Sequence, residues 1–164
     1  MASRWLEAAA IPFKATLFEK APAANWLVSW HQDTTLPIAD RRDVAGWSAW
    51  SQKFGVTYAH APAHVLERVI ALRVHLDDST VDTGPLRVLP RSHSSGVLDD
   101  AQIQQLSRSI APVTCTVPAG GVIAMRPLLV HASSKLNGAG SRRVLHFEYA
   151  ASLALETGLE LRAA

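Results

Sequence analysis

Residues 30–33 read Trp-His-Gln-Asp and close a largely apolar stretch that begins at Asn25. In a strand, side chains at i and i+2 share a face. His31 and Asp33 would therefore present an imidazole and a carboxylate side by side. These are two of the three ligands of a 2-His-1-carboxylate facial triad, which holds Fe(II) on one face and leaves positions open for reactants. His-x-Asp arises often by chance, so a third ligand must come from elsewhere. His131 is the best candidate, because it ends the apolar run Pro127-Leu-Leu-Val. An imidazole without a partner there would be costly, and a metal is one way to satisfy it; a bond to a backbone carbonyl is another. Arg142 and Arg143 come shortly after and open a further apolar stretch. A guanidinium fork suits a dicarboxylate through two parallel hydrogen bonds. Neighbours on a strand face opposite ways, so at least one of these arginines belongs to solvent.

The remaining candidates have plainer readings. His60 and His64 are four apart, the spacing of a helical metal pair, but Pro62 lies between them and disturbs that helix. His75 reads as a strand histidine with a structural bond, and His93 as a residue fixing the turn after Pro90. His146 alternates with Arg142 and Val144, so it could line a barrel. Cys115 reads as a small buried hydrophobe. Lys53 sits on a long loop, where an anionic substrate or solvent could meet it.

These residues need elements to hold them. Residues 1–10 read as a short helix or loose arm. Strand patterns fall at 13–19, 25–31, 69–76, 86–89, 113–117, 122–125, 128–131 and 143–149. Residues 34–62, with Pro37, the charged run 40–43, Gly46 and Gly55, read as a long irregular excursion. Residues 62–71 could start a short helix, and 99–110 a surface helix opened by Asp99. Many short strands with turns between them, and little helix, point to a sandwich or barrel.

Composition agrees. The 164 residues suit one domain, expected over 1–164, and 48% hydrophobic with 18% charged permits a real core. The net charge of +2 forms no basic block, so nucleic acid is not implied. One Cys excludes an internal disulfide. No apolar run is long enough for a membrane span, and Glu7 and Lys14 argue against a signal peptide, so the expected setting is cytoplasmic. Seven His and five Trp stand out, with Trp26, Trp30, Trp47 and Trp50 clustered around the first His.

Four stretches occur together and in order: Asn25-Trp26 through Asp33; Leu72-Arg73-Val-His75-Leu-Asp77-Asp78 with Gly84-Pro85-Leu86 through Arg91-Ser92-His93; Ala119-Gly120-Gly121 leading to Pro127 through Ser133; and Arg142 through Ala150. In this combination the chain resembles the phytanoyl-CoA dioxygenase family of Fe(II)- and 2-oxoglutarate-dependent oxygenases, as a short bacterial-type member. The resemblance implies an all-β fold, a double-stranded β-helix (a cupin-like jelly roll) with a few short helices. It implies that His31, Asp33 and His131 ligate Fe(II), and that Arg142 binds the distal carboxylate of 2-oxoglutarate with Ser133, Arg143 being the alternative by one register step. Trp47 or Trp50 would pack against the co-substrate; Lys14 and Asn25 are weaker candidates for that pocket. O2 is the second co-substrate, and the reaction is hydroxylation of a small organic molecule with decarboxylation of 2-oxoglutarate to succinate. Asp33 favours hydroxylation, since halogenases of the superfamily carry a small residue there. Two departures stand out. Relatives carry N-terminal helices that buttress the major sheet; with few residues before the first strand here, a homodimer could cover that surface. Arg91 stands where the family usually has Gly, so that turn is expected to differ. Two other readings keep the same barrel: a metal-dependent enzyme that is not an oxygenase, and a small-molecule-binding protein without turnover. A visible charge-transfer band from Fe(II) and 2-oxoglutarate combined anaerobically separates them from the oxygenase.

Overall fold

The computed structural model describes residues 1–155 and 158–163. Helix α1 (Ala2–Leu6) precedes β1 (Ile11–Lys20), β2 (Val28–His31) and β3 (Thr35–Ile38). The hairpin β4 (Ser48–Lys53) and β5 (Val56–His60) leads to α2 (Ala63–Leu66), β6 (Val69–His75) and β7 (Leu86–Val88). A 3-10 turn at Ser92–Ser95 and α3 (Asp100–Ser109) follow, then β8 (Val113–Cys115), β9 (Val122–Met125), β10 (His131–Ser133) and β11 (Arg142–Ala150).

Two antiparallel sheets make the barrel. The major sheet runs β1-β11-β6-β9 and the minor sheet β2-β10-β7-β8. They close on a shared cluster of Ala71, Leu86 and Met125, with Val88, Cys115, Ile123 and Leu129 around it. This is a double-stranded β-helix, as the strand pattern and the resemblance led one to expect. On β11 every second residue from Arg142 to Ala150 is buried, while Arg143 is exposed. The inner face of the major sheet is unusually polar: Lys20, Arg73, His75, Arg142, His146 and Glu148 are all buried there. Its outer face is covered in part by α1, through Ala2 and Leu6 against Ile70 and Leu72. Arg126 ties that helix down by donating to the carbonyls of Trp5, Glu67 and Val69. Pro12 is tolerated because β1 is an edge strand and the register shifts beside it.

Three expectations are corrected. Residues 34–62 are not an irregular excursion; most of them form a third antiparallel sheet, β3-β5-β4. Its hairpin turns at Phe54 and Gly55, both at positive φ (50° and 74°), which suits the twist of a tight β-turn. Its core side holds Leu36, Ile38, Trp47 and Ala59. The apolar run before His131 is not a strand. Pro127 starts a tight turn there, closed by the Leu129 N–H on the Arg126 carbonyl, and Leu128 and Val130 simply fill the core. The turn after Pro90 is fixed by Ser92 rather than His93. The Ser92 hydroxyl donates to the Leu89 carbonyl and accepts from the Val130 N–H, while His93 is exposed. Arg91 itself takes φ 68°, an arginine in the left-handed region that favours glycine. Helix α3 starts as expected, on an Asp99–Gln102 capping box.

Candidate metal centre and its cavity

Strands β2 and β10 pair antiparallel with His131 directly opposite His31. The two rings lie 4.2 Å apart between centroids. Each donates its Nδ1–H to the carbonyl two residues earlier, His31 to Ser29 and His131 to Leu129, both at 2.8 Å. That leaves both Nε2 lone pairs bare and aimed inward, the tautomer a metal requires. Asp33 follows β2 and is oriented by its own N–H on the Pro127 carbonyl, 3.0 Å. Its carboxylate stands 3.6 Å from His31 Nε2 and 3.7 Å from His131 Nε2. One ligand atom from each residue lies within 4.8 Å of the others. Ligands about 2.1 Å from a shared ion stand roughly 3–4 Å apart, so the three fit one divalent cation with little movement. Between the ligands, Gln32 points the other way. It donates to the Gly96 and Leu128 carbonyls and accepts from the Leu98 N–H, at 2.9, 2.7 and 2.8 Å. Those bonds anchor the strand end that carries both His31 and Asp33.

The electrostatics match a cation site. Burial alone would raise the Asp33 carboxyl, yet the adjacent His31 and His131 hold it well below the usual range. Burial opposes protonation of both rings. At His31 the Asp33 carboxylate and the Ser29 carbonyl outweigh it and raise the pKa; at His131 burial prevails and lowers it.

The triad opens into a cavity of about 90 Å³ between the two sheets. Arg142, Ser133, Lys20 and Arg73 supply its other polar lining, and Phe18, Trp26, Val28 and Leu86 its apolar walls. Arg142 is 3% exposed; its Nε donates to the Thr83 carbonyl at 3.1 Å and NH1 has no protein partner. Lys20 donates to the Ser133 hydroxyl at 2.8 Å and to the Ser134 carbonyl. Burial, and then Arg142, lower its pKa to about 8. The segment after Ser133 is pinned close by. The Asn25 side chain makes two hydrogen bonds with the Leu136 backbone, and Gly84 lies so near Ser134 that a Cβ there would meet its carbonyl at 2.5 Å.

His31, Asp33, His131, Ser133 and Arg142 thus meet at one cavity, which Trp26 also lines. Arg143 faces solvent and makes a two-point ion pair with Asp77, both contacts at 2.8 Å. Trp47 is 8% exposed and lies in the core against the third sheet, stacked on Trp50, with neither ring lining the cavity. Lys14 bonds Glu148 at 2.6 Å, Asn25 is the clamp just described, and Lys53 is exposed. Among the described residues no other group of three or more His, Cys, Asp or Glu could hold an ion, so His60 and His64 do not build one. His75 was expected to have a structural bond, but it is buried with no protein partner on either nitrogen. His146 does line the barrel and takes a bond from Arg73 at 3.1 Å. Sequence reasoning missed Lys20 and Arg73. The available signal was period-2 alternation: Lys20 ends β1 opposite Arg142, and Arg73 pairs with His146 across β6 and β11.

Residues 3–144 match the family described as phytanoyl-CoA dioxygenase (PhyH). The chain belongs to that family. Among curated proteins it is 24% identical to L-proline trans-4-hydroxylase of Streptomyces griseoviridis over 163 residues, covering 84% of this chain and 52% of the relative. Among solved structures, AviO1 from Streptomyces viridochromogenes Tue57 superposes with a TM-score of 0.64 at 26% identity, covering 91% of this chain and 54% of that one. SnoK, a non-haem α-ketoglutarate-dependent carbocyclase from nogalamycin biosynthesis, shares the fold with a TM-score of 0.69 at 18% identity, covering 98% and 55%. This phytanoyl-CoA dioxygenase family chain spans about half the length of the relatives it matches. No helix among the described residues is long and apolar enough to cross a membrane.

Proposed function

We propose that this chain is an Fe(II)- and 2-oxoglutarate-dependent oxygenase domain that hydroxylates a small organic molecule. The observation that carries the reading is the convergence of His31, Asp33 and His131 on one point of a cavity that also holds a buried, part-unsatisfied arginine. In this reading the three side chains ligate Fe(II). The bound ion would couple decarboxylation of the 2-oxo acid to oxidation of a substrate C–H bond. Arg142 holds the distal carboxylate of 2-oxoglutarate, with the Ser133 hydroxyl beside it and Lys20 keeping that hydroxyl in place. Arg142 and Ser133 are themselves buried, which strengthens the charge-assisted bonds they make. Family membership and the hydroxylase activity of the L-proline relative support the same chemistry. The test is succinate formation from 2-oxoglutarate under air with added Fe(II). The reading expects turnover that Asp33→Ala and His131→Ala abolish. Absence of succinate, even as slow turnover without substrate, would count against it.

A further inference from the structure

Arg73 is a buried guanidinium that makes no ion pair with a carboxylate among the described residues. It rises from β6 into the cavity, is 7% exposed, and its Nε has no protein partner. Its guanidinium carbon lies 5.2 Å from the Phe18 ring centroid, and NH1 donates to the bare Nδ1 of His146 at 3.1 Å. Phe18 in turn meets the His146 ring edge-on. These contacts fix the fork without neutralising it. The nearby acids are engaged elsewhere: Glu148 with Lys14, Asp77 with Arg143, and Asp33 at the metal site.

The charge of the cavity leads the same way. Lys20, Arg73 and Arg142 face it with Asp33 as the only acid in its lining. A divalent ion adds two positive charges and a 2-oxoglutarate dianion removes two. With Asp33 ionised, the loaded cavity keeps two positive charges. Burying unpaired charge is expensive, so an anion is the natural complement. Arg73 also comes from a different strand than Arg142, though both line the same cavity. Its cross-strand partner His146 lies four residues further along β11, a backbone separation of about 13 Å.

We propose that Arg73 receives a carboxylate of the primary substrate, which makes the substrate class small carboxylic acids, amino acids among them. The inference rests on the oxygenase reading and deepens it, with Arg73 as a specificity-determining residue. Held by Arg73, such an acid would lie with its carbon skeleton against Phe18 and Val28, on the side of the cavity open to the metal site.

The test uses the full chain loaded anaerobically with Fe(II) and 2-oxoglutarate. Matched acids and amides are titrated in: L-proline and L-prolinamide, phenylacetate and phenylacetamide, hexanoate and hexanamide. Binding is read as heat and as a change in the visible charge-transfer band. At least one acid should bind about tenfold or more tightly than its amide, as expected for a two-point charge-assisted contact. Arg73→Gln should erase that preference while the band survives, and Arg73→Lys should restore part of it. Equal binding of acids and amides, or no binding by any acid while the band is present, overturns the proposal and leaves the oxygenase reading standing. Loss of the band in a folded Arg73→Gln protein would assign Arg73 to the co-substrate and also overturn it. Absence of the band in the unaltered protein would remove the oxygenase reading, and this proposal with it. The acid–amide comparison on the unaltered protein needs no variant to fold.

Discussion

Arg142→Gln should cripple binding of 2-oxoglutarate, and Arg143→Gln should leave it intact. The two arginines are adjacent, and the register of β11 decides between them. Arg142 is buried in the cavity with NH1 unpartnered, whereas Arg143 points outward to Asp77. Each hydrogen bond to a charged group contributes about 1.5–3 kcal/mol. A carboxylate held by Arg142 through two such bonds loses about 3–6 kcal/mol when the charge is removed, or roughly 10²- to 10⁴-fold in affinity. Gln keeps most of the side-chain volume, so the barrel end should stay packed. Arg143→Gln breaks an exposed pair that solvent already screens, and should change co-substrate affinity by less than about twofold. The assay is calorimetric titration of 2-oxoglutarate into anaerobic, Fe(II)-loaded protein, with circular dichroism confirming the fold of each variant. The reasoning is refuted if Arg143→Gln abolishes binding while Arg142→Gln retains it.

Gln32→Leu removes three hydrogen bonds worth about 1 kcal/mol each. Tm should fall by about 6–12 °C at roughly 2–4 °C per kcal/mol, and Fe(II) affinity by about 10–100-fold; an unchanged affinity would deny Gln32 its positioning role. Burial, then Arg73 and Arg142, lower the His75 pKa to about 4 from 6.5. A ring neutral in the fold but readily protonated when unfolded leaves stability intact above pH 6.5 and erodes it as pH falls towards 4. The loss is about 3 kcal/mol at 1.36 kcal/mol per unit. Urea unfolding across that window should show it, and a His75→Leu protein with the same slope would contradict it. Arg91 sits at φ 68°, where a side chain costs energy that glycine does not. Arg91→Gly should therefore stabilise by about 0.5–1 kcal/mol, read as a rise in Tm; a fall would show that the Arg91 side chain contributes more than its backbone costs.

The ligand set was legible in the sequence because each piece sat on a simple period or ended an apolar run. His31 and Asp33 share a strand face, and His131 ends the stretch that packs into the core. The same logic placed one of two arginines inward but could not say which, since one residue of register exchanges the faces. The third sheet was hidden by Pro37, the charged run at 40–43 and two glycines, which read as loop signals. The structure places Pro37 on the outer strand β3, where a missing donor costs little. Trp47 shows the limit of composition. A tryptophan near a site in sequence became core, because the hairpin β4–β5 turns that segment onto Leu36 and Ile38 instead of the cavity. Lys20 and Arg73 were missed for the opposite reason. Arg73 lies within a strand whose apolar neighbours dominate the pattern, Lys20 falls one residue beyond the stretch 13–19 read as a strand, and only cross-strand pairing with His146 and Arg142 brings them to the cavity.

The most direct test of the central claim is the visible absorption of the protein titrated anaerobically with Fe(II) and then 2-oxoglutarate. The account predicts a charge-transfer band that saturates at one iron per chain and is lost in His131→Ala. No band, or a band that survives removal of His131, would contradict it.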